Sequence, residues 1–359
     1  MMLHVVIMAG GSGTRFWPQS RRRLPKQFLK IGTEQTLIQE TAARCLPLIA
    51  PPQLWVVAGA VHAAETAHQL PELPSEQILI EPCARNTAPC IGLAAIRLLT
   101  VDPEAVMLVV PADHVISPAE VFQQAVRDAV RFVTAQPDSF VLFGVKPDHP
   151  ATGFGYIHRT ATTVPGEEAL YRVAAFKEKP DPLTAAKYVA SDEYLWNCGI
   201  FVWRAQALLD ALAVHQPELH AGLSRLREAI GTDRWPDALA TEFPKLPSIS
   251  IDYAVLEHAQ NVYVLPAAFQ WDDVGSWLAV SRLHPQDADG NTIDGLHCGV
   301  DTDNCIIRST DDHLVTTIGV KDLIIVHTPE ATLVADQRDE AAVKKLLAEL
   351  ERRGLSQYL

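Results

Sequence analysis

Residues 4–28 read HVVIMAGGSGTRFWPQSRRRLPKQF. His4–Met8 is a short continuous apolar run, the pattern of a strand buried on both faces. It runs directly into Gly10-Gly11-Ser12-Gly13, where backbone amides can turn toward phosphates because glycine permits positive φ and close approach. No Asp or Glu occurs before Glu34, and Arg15, Arg21, Arg22, Arg23, Lys26 and Lys30 all fall in that acid-free stretch. The chain as a whole carries a formal charge of −13. Such a local excess is either a solvated basic surface or a site for a strongly anionic ligand. Arg15 and Lys26 suit a polyphosphate, one as a fork and the other as a point charge. Arg21–Arg23 read as a solvated turn. The loop is no P-loop, since GxxxxGK[ST] is missing, and no dinucleotide fingerprint, since Phe16 stands at the third glycine position.

Further apolar runs follow at Leu54–Ala58, Gln77–Ile80, Val106–Val110 and Ser139–Val145, with helical stretches at 36–48, 87–99 and 118–134 between them. Thr87 reads as an N-cap, and Ser117-Pro-Ala-Glu120 as a capping box. This alternation predicts a mainly parallel sheet covered by helices on both faces. Beyond residue 151, strand-like runs at 155–158, 171–177, 199–203 and 262–266 are separated by helical stretches at 182–190, 205–214 and 252–259. They are expected to complete the sheet and wall one side of a cleft. Asp287-Ala-Asp-Gly-Asn291 is a turn-rich joint. Short β runs follow at 305–308, 314–318, 323–327 and 331–334, and then a charged helix, 340–353, stopped by Gly354. The expectation is a catalytic domain at 1–285 and a small β domain with a final helix at 286–359. Left-handed β-helix-like coils are one candidate form for the latter.

Length, 48% hydrophobic and 20% charged residues fit a globular enzyme. The acidic balance argues against nucleic-acid or anionic-membrane partners. Six cysteines, at 45, 83, 90, 198, 298 and 305, show no CxxC or zinc spacing and read as free thiols in a reducing compartment. No signal peptide or spanning segment is expected, so the predicted location is the cytoplasm. A homodimer is expected from base rates alone.

Two acids stand out. Asp113 ends the Val106–Val110 strand region, and Asp273 lies in Trp271-Asp-Asp273-Val-Gly-Ser276-Trp. Ser117 and Ser276 are expected to cap the helices that follow, which leaves both carboxylates for other work. In open α/β sheets ligands gather at the carboxyl edge, where both would lie. Together with nucleotide phosphates, two carboxylates can hold Mg²⁺; two unrelated loop acids are the plain alternative.

Seven motifs, in order, resemble the nucleotide-sugar pyrophosphorylases, and most closely the mannose-1-phosphate guanylyltransferase family. They are AGGSGTRFWPQS…PKQF, Glu81-Pro-Cys-Ala-Arg85-Asn86-Thr-Ala-Pro89, Pro111-Ala-Asp113-His, Phe176-Lys-Glu178-Lys179-Pro, Asn197-Cys-Gly-Ile-Phe201, Ser250-Ile-Asp-Tyr-Ala-Val255 and the Asp273 motif. Phe16 stands where Leu is more usual and Phe154 where Tyr is common. The resemblance runs essentially end to end and implies a Rossmann-like nucleotidyltransferase fold. It implies the reaction GTP + mannose 1-phosphate ⇌ GDP-mannose + pyrophosphate. On that reading Arg15 and Lys26 grip the triphosphate above Gly10, Gly11 and Gly13, and Asp113 and Asp273 hold Mg²⁺. Lys179 neutralises the sugar phosphate; Glu178 and Asn197 meet sugar hydroxyls, with Gly155 close to the ring. Glu81 would read guanine, with Arg85 and Asn86 near base or ribose; Arg85 as a structural ion pair is the alternative. Asp252 could equally favour its helix N-terminus. Another base or sugar, and a non-catalytic GDP-mannose-binding relative, are the competing readings. Some relatives carry a further isomerase domain, and no phosphomannose isomerase activity is expected of this chain.

Overall fold

The structure, a computed structural model, describes every residue except Met1, Ser12 and Asp311. Contacts divide the chain into two compact units built from separated segments. The first holds Met1–Gly10, Thr41–Ala112 and Ile116–Trp271; the second holds Gly11–Glu40, Asp113–Val115 and Asp272–Leu359.

The first unit is one nine-stranded sheet with helices. Its strands are β1 (Leu3–Ala9), β2 (Leu54–Gly59), β3 (Ile78–Glu81), β4 (Val106–Pro111), β5 (Phe140–Val145), β6 (Gly155–Thr163), β7 (Tyr171–Glu178), β8 (Tyr194–Arg204) and β9 (Val262–Pro266). They lie in the order β3-β2-β1-β4-β8-β5-β9-β7-β6. β1 to β4 pair in parallel, as do β5 and β9. β8 and β7 run against their neighbours, so the sheet is mixed. The parallel strands are solid apolar runs because both faces are covered; Val5, Val6 and Ile7 are fully buried. The helix Thr87–Val101 is itself buried along most of its length and packs in a core with Phe140, Trp203, Leu219, Leu223 and Phe243.

Several local expectations are corrected. Asn86, not Thr87, caps that helix: its side chain accepts from the Thr87 amide at 2.8 Å, while the Thr87 hydroxyl accepts from Ile251 N at 2.8 Å. Ser117 caps nothing; the next helix, Ala119–Ala135, starts after Pro118 without a side-chain cap. The helix expected at 252–259 is a single π turn, Asp252–Leu256. Helices Pro217–Ala229 and Trp235–Glu242 were not expected.

In the second unit the strands are β10 (Thr292–Asp294), β11 (His297–Asp303), β12 (Ile306–Ser309), β13 (Val315–Lys321), β14 (Leu323–His327) and β15 (Thr332–Asp336). β10, β12 and β14 stack in parallel, and β11 stacks on β13 in parallel. Alternate strands thus return to the same face, the geometry of a coil; antiparallel β15 closes it. The last α-helix is Val343–Arg352, stopped by Gly354 at φ 73°, and a 3₁₀ turn, Ser356–Tyr358, follows it. A core of Phe16, Trp17, Trp277, Ile306, Ile324 and Val343 joins these coils to the glycine-loop segment within the same unit. No helix among the described residues is long and apolar enough to cross a membrane.

Candidate active site

In the second unit the glycine loop leads into a 3₁₀ turn, Thr14–Phe16. Phe16 is fully buried and meets Trp277 edge-on at 5.0 Å, and the Trp277 indole donates to the Trp17 carbonyl at 3.1 Å. The Phe in place of Leu therefore serves packing. Gly13 sits at φ 49°, and a Cβ there would lie 2.4 Å from the Lys26 amide, so only glycine fits. Ser12 lies outside the described residues.

Lys26 is only 6% exposed. Its ammonium donates to the Asp113 carboxylate at 2.9 Å and to the Asp273 carbonyl. A cavity of about 350 Å³ opens here, lined by Gly13, Arg15, Lys26, Asp113, Asp273 and Lys344 among others. Arg15 reaches across it to the Gly275 carbonyl at 3.4 Å. Of the other early cations, Arg21 and Arg22 pair with Glu330 and Glu351, and Lys30 with Glu34. None of these three lines the cavity.

Burial works to raise the Asp113 carboxyl, but Lys26 and His114 outweigh it and hold it below its ordinary range. Asp273 goes the other way: burial raises it, Asp272 and Asp113 add to this, and Lys26 opposes. Val274, beside it, is a buried β-branched residue at φ 45°, a strained conformation that sets the turn carrying Asp273. Ser276 does not cap the next helix, which is Leu278–Leu283; its first amide, Leu278 N, is met by the Glu340 carboxylate at 2.9 Å. The capping argument that singled out the two acids thus fails at both serines. The acids are nonetheless brought together by lining one cavity.

A divalent ion is what the resemblance implies. The donor set fits a hard cation that keeps most of its own waters: two carboxylates, one raised partly by the charge of the other. No group of three or more candidate ligands occurs among the described residues. Substrate oxygens and water would complete the shell.

In the first unit Glu81 ends β3. Its carboxyl lies beside Gly10, where a Cβ would come within 2.7 Å of Oε2. It is 4% exposed, Oε1 has no hydrogen-bond partner among the described residues, and burial pushes it up to about 7. Asn86 is spent on the helix cap at φ 67°, ψ −174°, a region nearly exclusive to glycine. Arg85 donates to the Pro244 carbonyl and makes no ion pair among the described residues.

A second polar cluster gathers the 155, 178, 197 and 252 positions. Gly155 pairs with Glu178 across β6 and β7, and a Cβ there would lie 2.5 Å from Glu178 Oε2. Glu178 accepts from the Lys179 ammonium, whose pKa rises through that bond. Lys179 is itself at φ 45°. Asn197 donates to Asp252 at 2.9 Å, and its carbonyl accepts from Gly199 N at 3.1 Å. Asp252 is pushed up to about 6 by burial and by Glu178. Asp252 is thus a member of the cluster, a role its place in the Ser250–Val255 motif hinted at. Lys344 was not anticipated at all: it lies far along the chain in a charged helix and carries no motif.

Comparison with known proteins shows the family and the fold. The nucleotidyl transferase family model matches residues 4–290, and the MannoseP isomerase/GMP-like beta-helix domain model matches 295–350. A mannose-1-phosphate guanylyltransferase of Escherichia coli is 38% identical over 99% of this chain and 76% of its own length. The alginate biosynthesis protein AlgA of Pseudomonas syringae is 38% identical over 97% of this chain and 72% of its own. A crystal structure described as mannose-1-phosphate geranyltransferase from Thermus thermophilus superposes with a TM-score of 0.87 at 32% identity, covering 98% of this chain and all of that one.

Proposed function

This chain belongs to the nucleotidyl transferase family, and we propose that it transfers GMP from GTP to mannose 1-phosphate, releasing pyrophosphate. The observation that carries the reading is the cation-lined cavity in which buried Lys26 meets Asp113, in a chain whose relatives carry this activity by name. A sugar-phosphate oxygen, already ionised, attacks the α-phosphorus; the new P–O bond forms as the bond to the β-phosphate breaks. No covalent nucleophile or strong base is needed, and the work falls to positioning and charge stabilisation.

Arg15 and Lys26, with the Gly10, Gly11 and Gly13 backbone, take the triphosphate. Asp113 and Asp273 would hold Mg²⁺, which when bound supplies charge neutralisation to the phosphates. Lys179 takes the charge of the sugar phosphate, while Glu178, Asn197 and Gly155 hold the sugar. Glu81 reads the guanine donors, with Arg85 and Asn86 supporting its segment. We assign the motif-bearing catalytic domain to residues 1–285 and the small β domain with its final helix to 286–359. We place the enzyme in the cytoplasm as a homodimer.

The test is pyrophosphate release from GTP and Mg²⁺, with and without mannose 1-phosphate, beside Asp113→Ala. Release that needs the sugar phosphate and is lost in the variant supports the reading. Release from GTP alone indicates a hydrolase. Release only with another sugar phosphate or triphosphate overturns the substrate assignment.

A further inference from the structure

Resting on the reading above, we infer that Lys344 is a phosphate-binding residue of this same site, contacting the β- and γ-phosphates of GTP and the pyrophosphate they become. It lines the cavity with Gly13, Arg15, Lys26, Asp113 and Asp273. It also lines a smaller adjoining cavity of about 260 Å³, shared with Arg15, Gly275 and Glu340. Its backbone is anchored from the N-terminal side. Val343 is buried in the core with Phe16 and Trp277, and the Glu340 carboxylate holds the Leu278 amide. Its side chain is exposed and makes no ion pair with any described residue.

Charge decides why it is needed. The cavity holds two carboxylates against Arg15 and Lys26, and Lys26 is already engaged by Asp113. A triphosphate entering that lining meets one uncommitted cation without Lys344 and two with it. The C-terminal helix then supplies a ligand for the leaving group as well as covering the coils.

The experiment compares wild type, Lys344→Gln, Lys344→Arg and Lys345→Gln in both directions: GTP with mannose 1-phosphate, and GDP-mannose with pyrophosphate. Lys345 is exposed on the same helix but does not line the cavity. Lys344→Gln is expected to raise KM for pyrophosphate and for GTP about tenfold or more, the scale of one lost charge-assisted contact. KM for mannose 1-phosphate and for GDP-mannose should stay within about twofold. Lys344→Arg should recover most of the loss, and Lys345→Gln should match wild type. The Tm of all three variants should be that of wild type. An active wild type with Lys344→Gln unchanged in pyrophosphate KM overturns the inference, as does an equal rise in every KM or a comparable defect in Lys345→Gln. A wild type that shows no exchange with pyrophosphate overturns the transferase reading, and the inference with it.

Discussion

Lys26→Met isolates the ion pair at the centre of the site. Methionine keeps the apolar stem of a residue that is only 6% exposed, so packing changes little. What disappears is the ammonium, with its 2.9 Å bond to Asp113 and its bond to the Asp273 carbonyl. A hydrogen bond to a charged group contributes about 1.5–3 kcal/mol. The Asp113 side chain is 34% exposed, so its carboxylate rehydrates and the discounted loss in stability is about 1–2 kcal/mol at neutral pH. The pH dependence fixes the sign. Asp113 is held below its ordinary range in the fold, so its stabilisation is complete above the unfolded value near about 3.9 and is lost as pH falls through the lower folded value. The gap between wild type and variant should therefore hold from pH 7 to about 4 and narrow as pH falls further, read by urea unfolding at each pH. In turnover, kcat/KM for GTP should fall about 10- to 100-fold, the same interaction energy read as a rate. A stability gap that stays flat with pH refutes the ion pair, and a kcat/KM within about threefold of wild type refutes the phosphate role.

Other outcomes follow from the same geometry. Burial raises Glu81 to about 7, so the native state keeps a proton that the unfolded chain releases above about 4.5, and stability falls as pH rises between the two. Glu81→Gln has no such proton and should gain on wild type across that window, by at most about 3 kcal/mol; a constant difference in Tm from pH 5 to 8 would show that the carboxyl titrates normally. Gly155→Ala sets a methyl 2.5 Å from Glu178 Oε2 and 3.0 Å from the Phe176 ring. It should raise KM for mannose 1-phosphate by about tenfold through misplacement of Glu178, with KM for GTP unchanged; steady-state kinetics decide. Chelation with EDTA should abolish turnover and added Mg²⁺ should restore it in wild type but not in Asp113→Ala. Activity that persists in EDTA would remove the metal from the reaction.

The sheet was legible in the sequence where strands are buried on both faces. Val106–Pro111 and Phe140–Val145 are apolar runs of strand length, rich in valine and phenylalanine, and that length and composition separate them from a buried helix. The helix Pro217–Ala229 was missed although Leu219, Leu223 and Leu226 repeat at helical spacing, because Gly222 and the polar residues between them lower the local signal. Caps were misread for a physical reason: local residue type suggests a cap, but the amide is satisfied by whatever lies nearest in space. Leu278 N is met by Glu340, sixty-two residues on, rather than by Ser276. The coil was visible only as evenly spaced runs, since its pairing joins β10 to β12 and β11 to β13, each skipping a strand.

The site shows the same division between residue type and position. Arg15, Lys26, Asp113 and Asp273 carry chemistry that composition and motif can announce. What gathers them is a unit assembled from three separated chain segments, and spacing along the sequence records nothing of that. Their aim is set by backbone that residue preference would not choose. Val274 and Lys179 occupy positive φ, which neither a β-branched residue nor a lysine favours, and each stands next to a carboxylate of a candidate site. Holding such residues costs of order 1–3 kcal/mol each, which the surrounding packing must offset; Val274 is fully buried against the Phe16–Trp277 core. A reaction that relies on placing two ionised phosphates, with no nucleophile of its own, gives that strain a use. The catalytic contribution lies in where the charges stand, so a residue without a motif, such as Lys344, enters the cavity lining through the fold alone.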